Sequence, residues 1–174
     1  MVLLPFASAH ASTVAKWPAC SAEVVMWCGR QEFPVSERTI SEWQQDDDVQ
    51  AYVLLDGEDM LGYGELWFDA EENEAELARI IVDPAMRGRG LGRKLVRGLL
   101  ERAVTAGFGD VFMRVHPDND RALRCYSGAG FVTVEPGRAE SWNAAQPVDY
   151  VWLRNPAPAA DGGTPRSTPV PSGQ

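Results

Sequence analysis

The feature that most constrains this chain is the run from Val82 to Leu95, where an apolar segment stops at Asp83-Pro84, glycines stand at 88, 90 and 92, and a helical pattern begins. Proline removes an amide and halts a strand. Beyond Arg89, the residues Leu91, Leu95, Val96, Leu99, Leu100 and Ala103 recur at helical spacing, and Gly107 sits where a helix would stop. A strand end, bare glycines and a helix start together make successive amides converge, and the helix adds its positive end. The segment therefore predicts an anion cradle, and it requires a sheet to deliver it and a helix to carry on from it.

Two familiar cradles are excluded by spacing. Lys94 is followed by Leu95 where a Walker A loop needs a hydroxyl, and Arg93 stands where a dinucleotide fingerprint needs its third glycine. Charge supports an anionic ligand at this place. The chain carries −9 overall, which argues against nucleic acid as a partner, yet residues 79–124 hold ten Lys and Arg against five acids, a local +5.

The rest of the chain supplies the sheet. Residues 1–9 read as a first strand, too short and too interrupted by Pro5 to span a membrane. Short helices follow, with Ser21 expected to cap one containing Val24, Val25 and Trp27, and Ser36 one containing Ile40 and Trp43. Ala51 to Leu55, Asp56-Gly57 and Met60 to Phe68 predict an antiparallel hairpin, and Leu77 to Val82 a third strand. After the long helix, 111–115 alternates as a strand, 118–127 reads as a short helix, and 131–134 and 148–153 return as strands. That order predicts an α/β (α+β) domain around one mixed sheet, over 1–154. Residues 155–174 hold five prolines and three glycines, and are expected to form a disordered tail. Three cysteines with no CxxC pair point to neither a disulfide framework nor a zinc site, and a reducing cytoplasm is the simplest setting.

The segment Arg87-x-x-Gly90-x-Gly92, preceded by Ile80-Ile81-Val82-Asp83-Pro84, closely resembles the signature of the GNAT acetyltransferases. A second match lies downstream, where Val115, Asn119, Ala122, Tyr126, Gly130 and Phe131 fall in the order and spacing of that family's next strand, helix and closing Gly-Phe. The resemblance implies a mostly antiparallel sheet with a splayed central parallel pair, acetyl-CoA as co-substrate and no metal. It implies that the backbone of Ile80, Ile81 and Val82 lines the pantetheine arm, that amides of Arg87, Gly88, Arg89, Gly90, Leu91 and Gly92 hold the diphosphate, and that Asn119 meets the arm from the other side. Asn119 also reads as a helix cap.

Transfer of an acyl group from a thioester to an amine needs a base for the ammonium and an acid for the departing thiolate. By the same resemblance Tyr126 is the acid and Glu76, at the start of the central strand, the leading base. Cys125 adjoins Tyr126 on a helix and so points about 100° away, and no partner base is evident for it. Arg114 stands where the ribosomal-protein N-terminal acetyltransferases carry a glutamate, a departure from that subfamily. The acids Asp69, Glu71, Glu72, Glu74 and Glu76 are expected to draw a cationic amine, with Trp27, Trp67 and Trp142 as apolar walls. A small-molecule or peptide amine is the expected acceptor. Competing readings are a non-catalytic acyl-CoA-binding or regulatory module and, more remotely, an ATPase.

Overall fold

Strand β1 (Val2–Pro5) is followed by helices α1 (Ala11–Val14), α2 (Ser21–Cys28) and α3 (Glu37–Glu42), then by strands β2 (Val49–Asp56), β3 (Asp59–Asp69) and β4 (Glu74–Val82). Helix α4 (Leu91–Thr105), strand β5 (Asp110–Val115), helix α5 (Asp120–Ser127), strand β6 (Val132–Thr133), helix α6 (Pro136–Asn143) and strand β7 (Val151–Arg154) complete the order. This is a computed structural model, and it describes residues 1–156. The expected disordered tail falls almost wholly outside the described residues.

The seven strands form one sheet in the order β1-β2-β3-β4-β5-β7-β6. All neighbours are antiparallel except β4 and β5, which run parallel and pair only at Glu74–Asp110, Ala75–Val111 and Glu76–Phe112. Beyond Glu76 the two strands part, as the expected splay requires.

Alternation along the strands sends one set of side chains to each face. On β2, Tyr52 and Leu54 join the core beneath α4, while Ala51 and Val53 join a second core beneath α1 to α3. Helix α4 buries Leu91, Leu95, Val96, Leu99 and Ala103. Each fully buried Leu or Val on that stripe contributes about 1.5–3 kcal/mol of transfer free energy. The helix lies close because β3 offers no side chain at Gly64, where a Cβ would come within 2.7 Å of Leu99 Cδ1.

Strand β4 changes face partway along. Ala75 and Leu77 point to the α4 side, but after a register shift opposite Gly64 it is Ile80 and Val82 that do so, and Ile81 turns to the other core. Arg79 takes up the slack with φ 46°, a left-handed conformation that costs a non-glycine residue about 1–3 kcal/mol. Nothing in the sequence marks this bulge.

Two local expectations are corrected. The N-cap of α2 is Cys20, and Ser21 is its first helical residue with no capping hydrogen bond. No helix is expected between the strands at 131–134 and 148–153, yet α6 lies there, opened by Pro136 because a first-turn proline lacks only an amide that would be unpaired anyway. Ser36 does cap α3, its hydroxyl accepting from the Thr39 amide at 3.1 Å.

Candidate active site

The parting of β4 and β5 leaves a gap through the sheet, and a cavity occupies each side of it. A groove of about 500 Å³ runs from Ile80, Ile81 and Val82 along Arg87, Gly88, Gly90 and Gly92 to Asn119 and Tyr126. A chamber of about 230 Å³ lies behind it, with Trp67, Glu76, Arg79 and Arg114 in its wall. The two share Met26, Trp27, Ile80, Asn119, Ala122 and Tyr126. Tyr126 belongs to the core beneath α4, whereas Glu76 lies next to Leu77 on β4 and so projects to the opposite face. They border one space only because the strands between them do not pair.

The glycines of the cradle have different reasons for being there. Gly88 and Gly90 adopt φ 81° and 77°, and a Cβ at either would meet nothing within 4 Å, so backbone conformation sets the requirement and the space beside them is open. Gly90 is also the N-cap of α4, whose amides begin the helix there. At Gly92 a Cβ would come within 2.8 Å of Cys125 Sγ, so this glycine lets α4 and α5 touch. Open amides at the start of a 15-residue helix suit a diphosphate.

The Arg87 side chain is held by partners within the groove wall. Its Nε donates to the Val82 carbonyl at 3.2 Å, and its Nη1 pairs with Glu23 at 3.0 Å, tying α2 to the loop. The Glu23 carboxyl is held below the usual range, chiefly by its hydrogen bond from Arg87. Arg93, Arg121 and Arg124 line the groove, and among the described residues none of them is in an ion pair. Arg89 neighbours the cradle in sequence but does not line the groove. Asn119 is the N-cap of α5, its Oδ1 accepting from the Ala122 amide at 3.1 Å.

Tyr126 is buried, and its hydroxyl makes no hydrogen bond to another described residue while the ring lines both cavities. Burial, the largest influence, pushes its phenol well above the usual value, so it remains protonated at neutral pH. Glu76 Oε1 lies 2.8 Å from Arg114 Nε in a contact too poorly aligned for a hydrogen bond. Burial raises the Glu76 carboxyl above the ordinary range despite the opposing charge of Arg114. Oε1 is sealed, which leaves Oε2 as the oxygen open to the chamber.

A buried network behind the chamber is absent from the sequence reading. Glu65, fully buried, accepts from the Tyr63 hydroxyl, from Trp67 Nε1 at 2.6 Å and from Arg79 Nη1 at 2.9 Å. The Arg79 guanidinium lies 3.9 Å from the centre of the Trp43 ring and 4.8 Å from that of Trp67. Trp27 Nε1 donates to the Arg79 carbonyl at 2.7 Å, so α2 is pinned to the bulge. The alternation of Tyr63, Glu65 and Trp67 on β3 was the available signal, since a carboxylate between two aromatic residues on one face must be paired.

The expected acidic lure and aromatic walls are corrected in part. Asp69 ends β3, Glu71 and Glu72 occupy the following turn, and Glu74 pairs with Arg138 at 3.1 Å, so of the five acids only Glu76 lines the chamber. Trp27 and Trp67 are chamber walls. Trp142 is not, for it packs against Phe112 and Trp152 at 5.1 and 4.8 Å between ring centres.

A splayed mixed sheet with a glycine cradle between its central strand and a long helix defines an acyl-CoA-binding type of domain. Residues 17–131 match the model of the acetyltransferase (GNAT) family, and the chain belongs to that family. Among relatives, mycothiol acetyltransferase of Corynebacterium glutamicum is 33% identical over 128 residues, covering 70% of this chain and 42% of that protein. N-alpha-acetyltransferase RimI of Mycobacterium tuberculosis is 48% identical over 61 residues, covering 35% of this chain and 37% of that protein. The chain thus spans less than half the length of these relatives. In fold it resembles the spermidine N-acetyltransferase of Vibrio cholerae in complex with CoA and spermine, with a TM-score of 0.66 at 20% identity, covering 77% of this chain and 82% of that one.

Proposed function

We propose that this protein transfers an acetyl group from acetyl-CoA to a primary amine by direct attack within a ternary complex. The observation that carries this reading is the continuous space through the sheet, with the glycine cradle on one side, a polar chamber on the other, and Tyr126 and Asn119 on the shared wall. Acetyl-CoA supplies the activated acyl thioester. Backbone groups of Ile80, Ile81 and Val82 receive the pantetheine arm, amides of Arg87 to Gly92 the diphosphate, and Asn119 borders the arm opposite. Arg93, Arg121 and Arg124 add positive charge along the same groove.

Glu76 takes the proton from the incoming ammonium, directly or through water, and its burial suits it to that task because a raised carboxyl is a stronger base. Tyr126 gives its proton to the departing thiolate, and burial keeps that proton in place until it is needed. An amine near pKa ~8–10 and a thiol near ~8.5 both exchange protons in this range. A reducing, cytoplasmic setting fits the three unpaired cysteines, Cys20, Cys28 and Cys125.

The test is release of free thiol from acetyl-CoA over a panel of amines, beside calorimetric titration of acetyl-CoA. Amine-dependent release is expected. Saturable binding with no release from any amine would replace the enzyme with a non-catalytic acyl-CoA-binding module, and absence of binding would remove both.

A further inference from the structure

The polar groups of the chamber are arranged for a particular kind of amine. Three charged side chains line the chamber, Glu76, Arg79 and Arg114, and Glu65 lies buried behind Arg79; paired as Glu65 with Arg79 and Glu76 with Arg114, the four formal charges sum to zero. Arg79 is committed, since it bonds Glu65 and lies sandwiched between Trp43 and Trp67. Arg114 is not. Its Nη1 donates to Gln146 Oε1 at 3.2 Å and its Nε contacts Glu76, but Nη2 makes no hydrogen bond to any described residue. The guanidinium stands 5.4–5.7 Å from the ring centres of Trp67, Tyr150 and Trp152, and the side chain lines the chamber with a quarter of its surface accessible. A largely desolvated guanidinium with spare N–H groups is a receptor for a carboxylate.

Size and charge narrow the choice further. The chamber is small, about 230 Å³, and Gly29 and Tyr150, which both line it, approach so closely that the Tyr150 hydroxyl lies 3.8 Å from a Cβ position at Gly29. Each further cationic centre of a polyamine or aminosugar would need a carboxylate, and Glu76, already facing Arg114, is the sole acid among the lining residues.

Resting on the acetyl-transfer reading, we propose that the acceptor is a small amine carrying a carboxylate beside its nucleophilic nitrogen, with Arg114 receiving the carboxylate and Glu76 Oε2 the nitrogen. A free amino acid has this chemistry, and as a zwitterion it leaves the charge sum of those two ion pairs unchanged. Its amide, a peptide N-terminus without a nearby carboxylate, and a polyamine do not match.

Two measurements test this. The first compares kcat/KM for amino acids with that for their amides and for spermidine. The second is calorimetric binding of N-acetyl-L-alanine against N-acetyl-L-alaninamide in the presence of coenzyme A, which needs no turnover. A charge-assisted hydrogen bond is worth about 1.5–3 kcal/mol, so the carboxylate forms should be preferred by about tenfold or more in both. Arg114→Gln should reduce the preference below about threefold, and Arg114→Lys, which keeps the charge beside Glu76, should retain part of it. Equal or better use of amides or spermidine overturns the proposal, as does a preference that survives Arg114→Gln. If no amine of any kind is acetylated, the acetyl-transfer reading fails. Equal binding of the two N-acetyl compounds then overturns the carboxylate assignment on its own.

Discussion

Replacing Gly92 by alanine separates packing from ligand approach. The added Cβ would sit 2.8 Å from Cys125 Sγ and 4.0 Å from Val82 Cγ2. Non-bonded heavy atoms prefer about 3.5–4.0 Å, so roughly an ångström must be found between α4 and α5. Overpacking of this kind costs about 1–3 kcal/mol, while the better helix propensity of alanine returns at most about 1 kcal/mol. Gly92→Ala alone is therefore expected to lose up to about 2 kcal/mol of stability. In Cys125→Ala the obstructing sulfur is gone, so the double variant should be more stable than additivity allows, with a coupling of about 1–3 kcal/mol. Urea unfolding followed by tryptophan fluorescence on the four members of the cycle measures it. Coupling below about 0.5 kcal/mol would refute the packing explanation. Titration of acetyl-CoA into the double variant adds a second readout. If the glycine serves helix contact, affinity returns with stability; if the ligand needs bare backbone at 92, it stays weak.

Four further outcomes are expected. Tyr126→Phe should lower kcat by an order of magnitude or more while acetyl-CoA affinity stays within about twofold; an unaltered kcat removes the acid role. The acid limb of the kcat/KM–pH profile should lie above the ordinary carboxylate value of ~4.3, because burial raises Glu76, and should vanish in Glu76→Gln. The same shift sets a stability slope. The folded state holds the Glu76 proton more tightly than the unfolded chain, so its contribution to stability falls as pH rises from the ordinary carboxylate value through the raised one, and Glu76→Gln should flatten that slope in thermal scans. Arg79→Met leaves the fully buried Glu65 without its cation and should cost about 3–5 kcal/mol, with Glu65→Gln in the same chain recovering part; a loss under 1 kcal/mol would mean the network is unimportant.

Much of the sheet was legible because alternation and turn chemistry are local. The hairpin at Asp56-Gly57, the proline stop at Pro84 and the α4 stripe all came from residues within a few positions of one another. The glycines between β4 and α4 were legible for the same reason, since their role there is set by their own backbone. Helix α6 was missed because Trp142 and Ala139, which bury it against Phe112 and Trp152, find their partners far along the chain. The acidic cluster misled because Asp69, Glu71 and Glu72 lie at a strand end and its turn, and Glu74 is held by Arg138, 64 positions along the chain.

The amino-acid order alone determined where the hairpin turns, where β4 stops and where glycines precede α4, since each depends on φ, ψ and side-chain period over a short span. Tertiary structure decided that Gly92 answers to Cys125, that Arg79 lies in a bulge gripped by Glu65 and two tryptophans, and that Arg114 faces Glu76 across the parting of β4 and β5. Those relations join residues on separate elements. They are fixed by how the sheet twists apart and which faces its helices cover, a balance of burial and charge that no short window of sequence contains.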